Sequence, residues 1–116
     1  MAIKPSSAKA KGRRLQQWVR DQIIAAFPKL TVSDVWSTSM GANGEDVKLS
    51  TAARKLFGYS VECKALKAIA VYKHMDQATD NCPMGAEPLV VLKADRRRPL
   101  VLMDAAHFFN LVRQKK

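Results

Sequence analysis

Apolar residues recur at three- and four-residue spacings through Leu15, Trp18, Val19, Ile23, Ala26 and Phe27, and the run stops at Pro28. That period predicts an amphipathic helix from about Arg13. The small, polar, basic residues 1–11, with Lys4, Lys9 and Lys11 among Ser and Ala, read instead as a flexible arm ahead of one domain, 12–116. The period then shortens. Residues 31–40, "TVSDVWSTSM", predict a strand from their β-branched and aromatic content, and "GANG" (41–44) predicts a turn. "EDVKLS" (45–50) alternates, with Val47 and Leu49 on one face and Asp46 and Lys48 on the other. "TAARKLF" (51–57) suits a short helical turn with Ser50 as its N-cap.

A third strand, 59–66, places Val61, Cys63 and Ala65 in an apolar row and Ser60, Glu62 and Lys64 in a polar one. A helix follows over roughly 69–81, then strands 87–94 and 98–104 joined across Asp95, Arg96 and Arg97. Asp104 suits the cap of a last helix through Arg113, with Phe108, Leu111 and Val112 facing inward. The order is helix, three strands, helix, two strands, helix. It predicts an α/β fold with a mixed central sheet of about five strands flanked by helices. With 116 residues there is room for one core and not two.

Charge changes the picture more than composition does. Twenty Lys and Arg against ten Asp and Glu give a net charge of +10, which favours a polyanionic partner, nucleic acid before an anionic membrane surface. No apolar run approaches the roughly 20 residues of a membrane span, and "MAIKPSSAKAKGRR" lacks the apolar core of a secretory signal. Cys63 and Cys82 have no CxxC spacing, so a reduced, cytoplasmic protein is expected. His74 and His107 lack HxH or HxxxH partners, which argues against zinc, and His107 fits a structural role.

Asp46 and Glu62 lie on strands joined by a short connection, so neighbouring pairing would let them converge. Two carboxylates on rigid strands suit a hard divalent cation with oxygen ligands. Lys64, two residues beyond Glu62 on the same face, would bring an ammonium to a reacting phosphate or water. The plainer reading is a solvated strand face carrying a surface ion pair. Glu45, beside Asp46, is an alternative member of the set.

"GED" (44–46) followed by "ECK" (62–64) resembles the PD-(D/E)XK nuclease superfamily, whose αβββαβ, restriction-endonuclease-like core matches the element order. "KGRRLQQ" (11–17), "STSMGANGED" (37–46), "VECKA" (61–65) and "PLVVLKADRRRPLVLMD" (88–104) resemble segments of small Holliday-junction resolvases of phage and archaeal type, over about residues 11–113. The resemblance implies a Mg²⁺- or Mn²⁺-dependent endonuclease acting on branched DNA as a homodimer, without a small-molecule cofactor or a membrane, in the cytoplasm (the host's, for a phage protein). It implies Asp46, Glu62 and the Cys63 carbonyl as metal ligands, Lys64 as the catalytic lysine, and Gln77 as a glutamine near the site. Gln16 stands where such resolvases carry a glutamate; an amide holds a metal-bound water but is no anionic ligand, which weakens the case for two metals.

Arg13, Arg14, Gln16, Arg20, Ser37, Ser39, Arg96 and Arg97 are the candidate DNA contacts, with Arg98 beside them. The arginines equally fit solvated helix and turn surfaces, and the serines ordinary turn hydroxyls. Trp18 and Trp36 are expected in the core rather than as base-stacking platforms. The rival readings are a non-catalytic nucleic-acid-binding protein and a nuclease of the same superfamily acting on single-stranded, nicked or duplex DNA.

Overall fold

A computed structural model describes residues 5–39, 43–65 and 70–114. Leu66, Ile69 and residues 40–42 of the expected elements, with the side chain of Val112, lie outside the described residues. The elements run α1 (Pro5–Ala26), β1 (Val35–Ser37), β2 (Val47–Leu49), α2 (Thr51–Leu56), β3 (Tyr59–Ala65), α3 (Val71–Asp80), β4 (Glu87–Lys93), β5 (Leu100–Leu102) and α4 (Ala105–Gln114). The fold is α/β, with one five-stranded mixed sheet in the order β1-β2-β3-β4-β5. β3 and β4 pair in parallel and the other neighbours are antiparallel. Among the described residues no helix is long and apolar enough to cross a membrane.

The two faces of β3 are covered by different helices. Leu15, Val19 and Ile23 of α1 bury against Val35, Val47, Val61, Cys63, Leu89 and Val91. On the other face α3 lays His74 and Ala78 over β3 and β4, where Val90 is fully buried. Ser60 and Glu62 are therefore buried too, so the polar row of β3 is not a solvated face.

Four sequence expectations change. α1 includes Pro5, the first described residue, so residues 5–11 belong to the first helix rather than to an arm. Proline is pre-set for a first helical turn, and the following Ala and Lys are good helix formers that leave no apolar period to read. Residues 31–34 form a turn instead of a strand. The Asp34 carboxylate accepts the Thr31 N–H (3.1 Å) and the Ser50 hydroxyl (2.8 Å), an alternative to ladder bonds that also holds its pKa below the usual value.

The third change concerns Trp18 and Trp36, each 44% exposed, which are not core residues. The last concerns α4: Asp104 caps it by accepting the Ala106 N–H (2.8 Å), but Phe108 and Leu111 stay exposed, as does Phe109. Ser50 caps α2 as its position predicts, accepting the Ala53 N–H.

Candidate active site

The β2–β3 register places the site. Val47 pairs with Val61, so the residues one step outward, Asp46 and Glu62, stand opposite each other with their side chains on one face. The Asp46 N–H still donates to the Val61 carbonyl (3.0 Å), and its own carbonyl accepts from the Thr38 N–H (3.0 Å) and hydroxyl (3.1 Å). Its carboxylate then accepts the Cys63 N–H at 2.8 Å, where a continuing strand would have offered a main-chain oxygen. Chain entry into this corner requires Gly44. Its φ of +86° favours glycine, and a Cβ there would lie 3.0 Å from Lys48 Nζ.

Asp46, Glu62, Cys63 and Lys64 line a polar cavity of about 490 Å³ together with Gln16 of α1 and Gln77 of α3. The five residues expected at the chemical centre are thus brought together, with Gln16 from among the expected DNA contacts. Glu62 is 4% exposed, and its Oε2 lies 3.0 Å from Lys64 Nζ. Burial first, and then Glu62, push the Asp46 carboxyl from 3.8 up to about 6, although the Cys63 N–H opposes the shift. Two close carboxylates, one of them reluctant to ionise, are a donor set that a divalent cation would relieve.

Among the described residues no three His, Cys, Asp or Glu side chains group as a metal site. A cation here would complete its shell with neutral oxygens such as the Cys63 carbonyl, the Gln16 amide and water. That chemistry suits Mg²⁺ or Mn²⁺. The Cys63 thiol is buried and pushed well above its usual pKa, an inert packing group.

Glu45 turns elsewhere. It pairs with Arg54 of α2, whose other guanidinium nitrogen donates to the Tyr59 carbonyl at 2.7 Å. Arg54 thereby ties the segment before Asp46 to the start of β3. Replacing it with alanine leaves a mostly buried carboxylate alone, and an expected cost of about 2 kcal/mol. The midpoint of urea denaturation reports it; an unchanged midpoint would mean that the corner is held by other contacts.

The expected DNA contacts divide. Ser37 is half-buried on β1 and Ser39 is exposed, and neither lines the cavity. Arg13, Arg97 and Arg98 are exposed, Arg20 pairs with Asp21 at 3.0 Å, and Arg14 and Arg96 line a second cavity. Asn43, Asp80 and Asn81 line the first cavity and were missed. For the last two, spacings of three and four from Gln77 were a usable signal.

His74, isolated in sequence, is buried over the sheet, and its ring nitrogens have no hydrogen-bond partner among the described residues. Burial, then Lys64 and Lys73, hold its pKa below the usual value, so it packs as a neutral ring. His107 is structural, its Nε2 lying 2.9 Å from the Tyr59 hydroxyl. No family model, curated protein or solved structure matches this chain.

Proposed function

We propose that the chain is a divalent-metal-dependent DNA endonuclease of the PD-(D/E)XK type, hydrolysing phosphodiester bonds in branched DNA. The observation that carries the reading is the meeting of Asp46 and Glu62 in one cavity, with the Lys64 ammonium 3.0 Å from Glu62. Asp46, Glu62 and the Cys63 carbonyl would hold the cation. When bound, it neutralises phosphate charge and acidifies water.

The remaining roles fall to the protein's own groups. Glu62 fixes Lys64 Nζ at the cavity wall, where the ammonium donates a hydrogen bond to a phosphate oxygen as charge builds there. Gln16 and Gln77 offer neutral donors and acceptors that orient water. Asp46 must shed its proton to serve, so metal affinity rises with pH through about 6. The two free cysteines fit a reducing compartment such as the cytoplasm, the host's for a phage protein.

The test is incubation of the protein with four-way junction, duplex and single-stranded DNA, with Mg²⁺, with Mn²⁺ and with EDTA. Junction cleavage that needs the metal supports the reading. Tight binding with no cleavage in any metal would replace it with the non-catalytic nucleic-acid-binding reading. Cleavage without junction preference would keep the chemistry and change the substrate.

A four-way junction takes two symmetric cuts, and a two-fold homodimer supplies two sites. Exposed apolar side chains on edge strand β5 (Leu100, Val101) and on α4 (Phe108, Phe109, Leu111) offer surface that a second copy would cover. Beside it α1 and β5 enclose an apolar groove of about 400 Å³. Light scattering is expected to give twice the 12.9 kDa chain mass for the wild type and one chain for Val101→Asp with Phe109→Asp. That variant should nick junctions singly rather than resolve them. A monomeric wild type that still resolves junctions would remove the dimer.

A further inference from the structure

A second cavity, of about 600 Å³, adjoins the candidate site. Leu15 and Ala65 line it, while their chain neighbours Gln16 and Lys64 line the first. α1 and the end of β3 thus contribute to both cavities, and the end of β4 to the second alone. Its volume falls among small-molecule sites, about 300–1,000 Å³. Its lining carries four cationic side chains, Lys11, Arg14, Lys93 and Arg96, against one carboxylate, Asp95, which pairs with Lys11 at 2.9 Å.

The indole of Trp18 is a further wall and is 44% exposed. Arg14 stands four residues before it, on the same side of α1. Arg96 holds φ at +62°, a conformation that a side-chain-bearing residue rarely adopts. A wide apolar plane amid uncompensated positive charge is a poor site for an aliphatic ligand or for bare phosphate. It suits a group that is flat, aromatic and anionic at its edge.

We propose that this cavity receives an unpaired base of the DNA, stacked on Trp18, with the flanking phosphates on Arg14, Lys93 and Arg96. This rests on the nuclease reading and narrows its substrate to DNA with a splayed or unpaired nucleotide beside the cut. A perfectly paired duplex has no free base face to offer, whereas a branch point does. Stacking is indifferent to base identity, so the subsite selects structure and not sequence.

The test is a binding titration in EDTA, so that cleavage plays no part, on the full chain carrying Trp36→Phe, which leaves Trp18 as the one tryptophan of two. The probes are oligo-dT, a duplex with one unpaired thymine, the matched duplex, and heparin as a polyanion without bases. Quenching of Trp18 is expected with the first two and little with the others. In the wild-type background, Trp18→Ala should weaken the first two roughly tenfold and heparin hardly at all, while Trp18→Phe keeps most of the affinity. Thermal melting checks that each variant is folded.

Equal quenching by heparin and oligo-dT, or oligo-dT binding unchanged in Trp18→Ala, overturns the subsite and leaves a plain basic patch. The two readings fail separately. Trp18-dependent binding by a protein that never cuts sinks the nuclease alone, and metal-dependent cleavage with an indifferent Trp18 sinks the subsite alone.

Discussion

Asp46→Asn is expected to lower metal-dependent cleavage on the order of a thousandfold while making the metal-free protein more stable at pH 8. The two effects share one cause. Folding moves the Asp46 carboxyl from water into a corner beside Glu62, and its pKa rises from 3.8 to about 6. Between those values the folded chain holds a proton that the unfolded chain releases. The contribution of this group to stability is fully present below about pH 3.8 and is lost as pH climbs through 6. At pH 8 the wild type carries the cost of an ionised, partly buried carboxylate, about 1–2 kcal/mol once the side chain's partial exposure is allowed for.

Asparagine still accepts the Cys63 N–H and never ionises, so it escapes that cost. Melting curves at pH 4 and pH 8 should show the variant ahead by a few degrees at pH 8, with the gap closing at pH 4. Added Mg²⁺ should raise the wild-type midpoint and leave the variant unmoved. A variant less stable than the wild type at pH 8 would mean that Asp46 is a structural acceptor and not a strained ligand.

That corner was legible in the sequence because strand geometry is rigid. Once 45–50 and 59–66 are strands joined by a short connection, a period of two leaves little freedom. The observed Val47–Val61 pair puts Asp46 across from Glu62, as convergence required. Glu45 could not be excluded from sequence, because its exclusion depends on Arg54, nine residues on and in another element.

The tryptophans show a different limit. The period of α1 identifies the buried stripe, but not where the covering sheet stops. Trp18 sits at that border, between buried Leu15 and Val19 and the open cavity. The exposed aromatics of α4 make the same point. An apolar period says that a face is destined for burial and not that this chain supplies the cover. Asp34 shows how a single short side chain can hold the β-prone Thr31 and Val32 in a turn.

Removing the Lys64 ammonium gives the other large expected effect. Glu62 is 4% exposed, its partner nitrogen is 3.0 Å away, and Asp46 crowds the same cavity. Lys64→Met keeps the length of the side chain but leaves two carboxylates without their adjacent cation. Breaking a fully buried pair typically costs about 3–5 kcal/mol; Lys64 reaches solvent, so about 2–3 kcal/mol is expected at pH 7 in EDTA. Glu62→Gln in the same chain removes the orphaned charge, so the double variant should recover most of the loss. The coupling of the two changes in a double-mutant cycle would then exceed about 1 kcal/mol.

A divalent cation offers a second rescue. Mg²⁺ is expected to raise the melting temperature of Lys64→Met more than that of the wild type, since it takes over the neutralisation that lysine provided. Cleavage stays low in both variants, by about a hundredfold or more, because neither restores a donor for the phosphate. Additive stability changes together with an absent Mg²⁺ response would mean that the 62–64 pair is energetically uncoupled and that no cation binds beside it. A Mg²⁺-rescued fold that still fails to cut separates the lysine's chemical role from its electrostatic one.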